Sequence, residues 1–277
     1  MTEHSAAGRT RRQIYEDKLR RKSLLIAGTS TTVVVLAVLI LVPLAPGWEK
    51  VQKSFFNWDV FVKTFPKLLD AFLLDIAIFA WCAPLIALLG LLVALARDVR
   101  SPALFPLRIL GAAYTDIFRG VPVILTVYLI GFGIPGLGLP RPWNSPYIWG
   151  SLALVLTYSA YVAEIFRSGI ESVHKSQRSA AESLGLGEAD TMRYVILPQA
   201  IRRVIPAQMN MLIALQKDVA LLSFIGPVEI FRQAGVFKSL LANFTPYVGA
   251  AVIFLAVTIP ATRYADYLLA KQNRERS

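Results

Sequence analysis

Residues 179–185 read Ser179-Ala180-Ala181-Glu182-Ser183-Leu184-Gly185, and Leu197-Pro198 begins twelve residues after Gly185. The segment lies within a polar stretch, residues 169–204, between apolar segments that are long enough to cross a bilayer. A polar stretch between two spans has to lie outside the hydrocarbon layer. We therefore expect an ordered loop on one face of a membrane, available to another protein.

The composition predicts an all-α integral membrane protein. Of the 277 residues, 55% are hydrophobic and 17% are charged, and the mean hydropathy is +0.54. A hydrocarbon core about 30 Å thick requires about 20 apolar residues per helix. Windows of this kind predict six spans, at residues 23–46, 67–96, 107–134, 147–168, 205–227 and 247–268.

The distribution of Lys and Arg predicts the orientation of these spans. The net charge is +11, which in a soluble chain would suggest a nucleic-acid partner, but in a membrane chain the location of the charges matters more than their sum. Basic residues concentrate in the tail 1–22, in the loop 169–204 and in the tail 269–277, so we expect these segments and both termini to be cytoplasmic. Residues 47–66 are then extracytoplasmic. The run 23–46 is either an uncleaved first helix, which we favour, or a signal sequence cleaved near Ala45.

The small residues of the loop suggest a docking helix. Ala180, Ala181 and Gly185 fall within one or two helical turns and would give a short helix a thin face that a partner can approach closely. Gly185 and Gly187 would end that helix and turn the chain. From the residues alone, an ordinary amphipathic surface helix is an equally open interpretation.

The loop resembles the cytoplasmic motif of the permease subunits of bacterial ABC importers, which runs Glu-Ala-Ala, three residues, Gly, nine residues, Ile, one residue, Leu-Pro. Ser179 stands at the Glu position and Val195 at the Ile position. The segments 114–122, 161–170 and 195–200 are similar to the polar amino acid uptake subfamily, which transports histidine, glutamine, glutamate, arginine and their relatives. The resemblance implies a five-helix permease core, residues 67–268, preceded by one extra transmembrane helix.

Partners follow from the same resemblance. It implies separate ATPase subunits that bind ATP and Mg²⁺ and that hold the loop through Ser179, Ala180, Ala181, Glu182, Gly185, Leu197 and Pro198. It also implies an extracytoplasmic substrate-binding protein and a second permease chain, identical or related, in the lipid of the bacterial cytoplasmic membrane. The chain has no G-x-x-x-x-G-K-[ST] loop for nucleotide phosphates, so we expect no ATP hydrolysis, no cofactor and no metal on this subunit.

Charged residues inside the spans are candidates for the transport path, because each costs about 2.5–3.5 kcal/mol on insertion scales. Arg is well suited to pair with the carboxylate of an amino acid, and an acid can accept its ammonium group. We predict these roles for Arg119 and Glu164, with Tyr161 beside the path. Two ion pairs that only lock helices, Arg119 with Glu164 or Lys217 with Asp75, are the structural alternative. Lys217 and Asp218 point about 100° apart on a helix and so should reach different neighbours.

Asp75 is open to two interpretations. An acid facing the cavity would favour a cationic substrate, whereas a neutral Asp75 hydrogen-bonded between helices would serve structure alone. An ion-coupled secondary transporter that uses Asp75, Glu164 and Asp218 is the main rival function, and a membrane-embedded hydrolase is less favoured because both histidines lie outside the spans. The sequence therefore predicts the transmembrane permease subunit of an ATP-driven amino acid importer.

Overall fold

The computed structural model describes residues 11–99 and 101–276, and within them every regular element is helical. The first ten residues of the predicted basic tail, Arg100 and Ser277 lie outside the described residues. The chain divides into two units, Met1–Phe56 and Asn57–Ser277, which are taken separately below.

The described part of the first unit, residues 11–56, forms two helices. Helix α1 spans Arg11–Leu41 and carries an apolar stretch, Lys22–Leu41, that is long enough to cross a bilayer. The predicted span 23–46 thus ends five residues early, at Leu41. Helix α2, Trp48–Phe55, is short and amphipathic, with an exposed ion pair of 2.6 Å between Lys53 and Glu49 on its polar side.

Within its described residues, 57–99 and 101–276, the second unit holds nine α-helices: α3 (Trp58–Asp98), α4 (Phe105–Gly120), α5 (Val123–Gly133), α6 (Pro146–Ser172), α7 (Lys175–Ser183), α8 (Glu188–Asp190), α9 (Leu197–Asp218), α10 (Ile230–Leu241) and α11 (Thr245–Arg276). A π-helical turn, Thr191–Ile196, joins α8 to α9, and a 3₁₀ segment, Val219–Ile225, extends α9. Helix α3 starts at Trp58, so the predicted extracytoplasmic segment 47–66 is largely helical.

Helix α6 is the centre of this unit because small residues let its neighbours approach. Ala153, Ala160 and Ala163 have no exposed surface. A Cβ atom at Gly90 of α3 would lie 2.9 Å from Cβ of Val162, so only glycine allows α3 to cross α6 at this distance. Buried side chains of α3, α5, α6, α9 and the 3₁₀ segment form one continuous apolar core around α6.

Proline accounts for a sharp bend between α4 and α5. Pro122 lacks an N–H group and disfavours helical geometry at Val121, so α4 ends there, and the two helices meet at 104°. A second pair, Glu188–Ile225 and Ile230–Leu241, is bent by 51°. Among the described residues, four helical segments can cross a bilayer by length and composition, or up to six if each bent pair counts as one span.

Candidate functional site

A cavity of about 640 Å³ lies between α4, α6 and α9. Its polar lining comes from Arg119 on α4, from Tyr161, Glu164 and Ser168 on α6, and from Arg203 on α9. The structure therefore brings three of the four predicted substrate residues, Arg119, Tyr161 and Glu164, to one site.

Glu164 is the electrostatic centre of the cavity because three guanidinium groups converge on its carboxylate. Nη1 of Arg97 lies 2.7 Å from Oε2, and Nε of Arg167 lies 2.9 Å from Oε1, with a second bond from Nη2 of Arg167 to the same oxygen. Nη1 of Arg119 approaches Oε2 at 3.6 Å. The Glu164 side chain is only 23% exposed, so these ion pairs are partly shielded from solvent.

Of the three arginines, Arg119 makes the weakest contact with Glu164. Its side chain is 40% exposed, and its guanidinium carbon lies 5.8 Å from the ring centre of Tyr161. The hydroxyl of Tyr161 donates to the backbone carbonyl of Arg119 at 3.4 Å, which fixes the ring beneath the guanidinium. Because the Arg119 guanidinium approaches Glu164 only at 3.6 Å, beyond hydrogen-bonding distance, it retains donors for an incoming anion.

Asp75, the fourth predicted substrate residue, does not line this cavity. It is fully buried between α3 and α10, where Oδ2 accepts a hydrogen bond from the backbone N–H of Ile230 at 3.2 Å. This geometry matches the structural interpretation of Asp75, and a role in substrate selection stays a prediction. Of the two alternative ion pairs, Arg119 with Glu164 is present at 3.6 Å, whereas Lys217 with Asp75 is absent from the described part of the chain. Asp218 reaches a different neighbour, the hydroxyl of Tyr158, at 2.7 Å.

The predicted docking helix is α7. Ala180 is exposed, as are Ser179 and Glu182, whereas Ala181 is only 3% exposed and faces the chain itself. The expectation that Ala180 and Ala181 share one outward face is therefore wrong for Ala181, because residues one apart on a helix point about 100° apart. Packing within this chain is what requires a small side chain at position 181.

Gly185 ends α7 as predicted, through backbone conformation. Its φ is +84°, and the N–H groups of Leu186 and Gly185 bond to the carbonyls of Ala181 (3.1 Å) and Glu182 (2.9 Å). This pair of bonds is a Schellman motif, whose left-handed residue is usually glycine. Leu197 and Pro198 start α9, where a proline needs no intrahelical N–H partner.

Sequence reasoning missed three residues that the structure brings to these sites. Arg97 lies just beyond the predicted span 67–96, where a basic residue is typical of a loop, yet it reaches Glu164. Arg203, one of the basic residues of the loop 169–204, lines the cavity and bonds to Ser172. Leu184 is 82% exposed at the end of α7. An apolar residue inside a polar loop was a readable signal for Leu184, but no local signal identified the other two.

Comparison with known proteins is consistent with this architecture. Residues 60–274 match the family described as "Binding-protein-dependent transport system inner membrane component". The chain is 37% identical over 164 residues to the Probable glutamine ABC transporter permease protein GlnM of Bacillus subtilis (strain 168), covering 59% of this chain and 74% of that relative. It is 34% identical over 206 residues to the Probable amino-acid permease protein YxeN of the same strain, covering 73% and 90%.

A solved structure shares the fold. The structure titled "Crystal structure of an amino acid ABC transporter with histidines" matches with a TM-score of 0.70 and 31% identity, over 78% of this chain and 98% of that chain. The family match extends from the first turn of α3 nearly to the end of α11, and so includes the cavity and α7. It favours an importer subunit over an ion-coupled carrier. The chain belongs to the binding-protein-dependent transport system inner membrane component family, and it is a multi-pass membrane permease of the ABC importer type.

Proposed function

We propose that this chain forms the translocation path of an importer that moves a polar amino acid across the bacterial cytoplasmic membrane, while separate subunits hydrolyse ATP. One observation carries the substrate assignment. The cavity presents Arg119, a guanidinium with free donors, next to a carboxylate, Glu164. A zwitterion needs one group of each sign, and relatives of this chain bear the names of glutamine, arginine and other amino-acid permeases.

Arg119 and Glu164 have different roles in this proposal. Arg119 binds the substrate carboxylate, since a guanidinium offers two parallel donors that match its geometry. Glu164 already accepts from Arg97 and Arg167, and a carboxylate has about four lone-pair positions. Glu164 therefore orients the arginines first and offers its remaining acceptor capacity to the ammonium group.

The proposed topology has six spans with both termini in the cytoplasm. Each bent pair then counts as one span, with residues 47–66 and the loop between α5 and α6 outside. The excess of Lys and Arg in the tails and in residues 169–204 supports this orientation. Helix α7 then faces the cytosol, on the side where ATP is available.

The proposed partners are two ATPase subunits, an extracytoplasmic substrate-binding protein and a second permease chain. Helix α7 supports the ATPase assignment, because its exposed end presents Leu184 from a tight glycine turn. We assign this side chain, which is 82% exposed within a polar loop, to a pocket on the ATPase. In this proposal, nucleotide-driven movement of the ATPases displaces α7, and the permease alternates access to the cavity.

The decisive experiment is uptake into proteoliposomes that contain the complete transporter and its external binding protein. Labelled glutamine, glutamate, histidine and arginine are offered with Mg-ATP inside, and each is also tested under a proton or sodium gradient without ATP. We expect uptake of at least one amino acid that requires ATP. Uptake driven by an ion gradient without ATP would refute the proposal in favour of the secondary carrier.

Two pairs of variants test the residues. Arg119→Ala should raise the substrate concentration for half-maximal uptake, whereas Arg141→Ala, which removes an exposed arginine from the loop before α6, should leave it unchanged. Leu184→Ser should reduce the amount of ATPase that co-purifies. Leu137→Ser, which alters a leucine that is 72% exposed between α5 and α6, should not. Equal behaviour within either pair would remove that residue from the proposal.

A further inference from the structure

Two consecutive residues at the end of α3 form ion pairs in two directions. Nη1 of Arg97 lies 2.7 Å from Oε2 of Glu164 in the cavity, and Oδ2 of Asp98 lies 3.1 Å from Nη2 of Arg178 on α7. Because Arg97 and Asp98 are neighbours in one helix, a displacement of Asp98 also displaces Arg97. The end of α3 therefore touches both the proposed substrate cavity and the helix that is proposed to hold the ATPase.

Arg97 is held in place by features of α4. A Cβ atom at Gly111 would lie 2.9 Å from Cγ of Arg97, so the absence of a side chain at 111 gives the arginine its route across α4. Thr115, one turn further on, is fully buried and accepts a hydrogen bond from Nη1 of Arg97 at 2.9 Å. The same Nη1 atom thus joins α4 and α6, and the guanidinium has little freedom to move separately from α3.

The pair on the α7 side is also shielded. The side chains of Asp98 and Arg178 are 23% and 15% exposed, compared with 78% and 76% for the surface pair Glu49 and Lys53. Partly buried ion pairs are screened much less by salt than surface pairs are. The pair borders a second cavity of about 440 Å³, which is lined from α6 by Glu171 and from α7 by Lys175 and Glu182.

A parallel connection runs along α6. Arg167 bonds to Glu164 and also to Glu171, one turn later, so its guanidinium links a residue of the first cavity to a residue of the second. Glu164 is the point where the α3 and α6 connections meet. Movement of α7 that shifts Asp98 would therefore change the balance of guanidinium groups around Glu164.

We infer that Arg97 and Asp98 are positioning residues that transmit the movement of α7 to the Glu164 carboxylate, through the chain Arg178, Asp98, Arg97, Glu164. The inference rests on the proposed function, because it requires that an ATPase moves α7. It goes further in naming the residues that carry that movement to the substrate cavity. The Asp98–Arg178 pair serves transmission, and its loss separates the nucleotide state from the cavity state.

The test reports on the cavity without a transported substrate. The parent protein is Cys82→Ala with Ser168→Cys, which puts the one cysteine of the chain on the exposed rim of the cavity. The full transporter with its ATPase is placed in nanodiscs. The rate at which the methanethiosulfonate reagent MTSEA modifies the cysteine is measured without nucleotide and with Mg-ATP and vanadate. The readout is the ratio of the modification rate with Mg-ATP and vanadate to the rate without nucleotide.

In the parent we expect the two modification rates to differ clearly. In Asp98→Asn and in Arg178→Ala, the fold-difference between the two rates should be smaller by about fivefold or more, which is the lower end of typical coupling between sites. The exchanged pair, Asp98→Lys with Arg178→Glu, should recover the response, as coupling in a double-mutant cycle requires. Lys175→Ala removes a positive charge from the same helix and should keep the parental ratio.

The outcomes distinguish failure of this inference from failure of the proposed function. A parental ratio in both Asp98→Asn and Arg178→Ala overturns the inference and leaves the proposed function standing. Loss in the single variants without recovery in the exchanged pair also overturns it, since a general weakening of the fold explains that result. A parent that binds its ATPase but shows no Mg-ATP effect overturns the movement of α7, and with it both the proposed mechanism and the inference.

Discussion

Oδ2 of Asp75 accepts a hydrogen bond from the backbone N–H of Ile230 at 3.2 Å and so joins α3 to the first turn of α10. Glu229 caps the same turn by accepting from the N–H groups of Phe231 (2.8 Å) and Arg232 (2.7 Å). The first N–H groups of a helix have no acceptor within it, so the two buried acids together satisfy three of them.

Asp75→Ala should destabilise the protein because it leaves the buried N–H group of Ile230 without an acceptor. The expected loss is about 1–3 kcal/mol in the free energy of unfolding. Asp75→Asn keeps a side-chain oxygen as the acceptor for Ile230 and has nearly the same volume, so it should be clearly more stable than the alanine variant. Thermal unfolding in detergent measures both. Equal unfolding temperatures for Ala and Asn would refute the capping role.

Glu164→Gln should mainly lower the stability of the protein, whereas Arg119→Ala should mainly lower its affinity for the substrate. Loss of the Glu164 charge weakens its bonds with Arg97 and Arg167, and hydrogen bonds to charged groups contribute about 1.5–3 kcal/mol, so the thermal midpoint should fall. Arg119 is more exposed and stands further from the carboxylate, so its removal should change stability by about 0.5 kcal/mol or less.

Loss of Arg119 should instead weaken the uptake of substrate at low concentration. Arg119→Ala should raise the half-saturating substrate concentration about tenfold or more, because about tenfold corresponds to the loss of one charge-assisted hydrogen bond and the guanidinium offers two. Titration of ATP-dependent uptake in proteoliposomes gives this value, and the unfolding midpoint of the same preparation serves as its control. A large stability loss in Arg119→Ala with unchanged affinity would reverse the roles given to the two residues.

The helical class and the loop of this protein could be predicted from sequence because both depend on local patterns. Apolar windows of span length identify α3, α6 and α11, and a glycine after a short helix identifies the turn at Gly185. The break at Pro122 is also readable, but the angle of 104° is not, since it depends on how α5 packs against α6. Local chemistry ends helices, whereas tertiary packing orients them.

The cavity was predictable only in part. Arg119 and Glu164 stand out as charges inside apolar spans, but Arg97 lies at a span end, where a basic residue is ordinarily read as an orientation signal. Its contact with Glu164 joins residues 67 positions apart and depends on the space that Gly111 leaves. No periodicity in the sequence predicts a contact of this kind. The burial of Asp75 against α10 was hidden for the same reason.

Gly169→Ala should disturb the packing of α6 on α9. A Cβ atom at this position would lie 3.1 Å from the backbone oxygen of Ala200 and would overlap the Val204 side chain. The backbone of α9 cannot move away at one residue alone, because the whole helix is packed against α6. Overpacking of this kind costs about 1–3 kcal/mol. Gly133→Ala is the matched control, because a Cβ atom there meets nothing within 4 Å. A lower unfolding temperature is expected for Gly169→Ala only, and equal midpoints would contradict the packing.

Gly185→Ala should weaken the coupling between ATP hydrolysis and uptake. The φ of +84° at Gly185 is a left-handed conformation that costs an alanine about 1–2 kcal/mol, so the turn that presents Leu184 would loosen while the spans stay folded. Gly187→Ala tests the same change two residues away, where φ is −68° and alanine fits without strain. Phosphate release and amino acid uptake, measured in the same proteoliposomes, give the ATP hydrolysed per molecule transported. That ratio should rise for Gly185→Ala and stay at the parental value for Gly187→Ala; an unchanged ratio in both would mean that the shape of this turn does not matter for coupling.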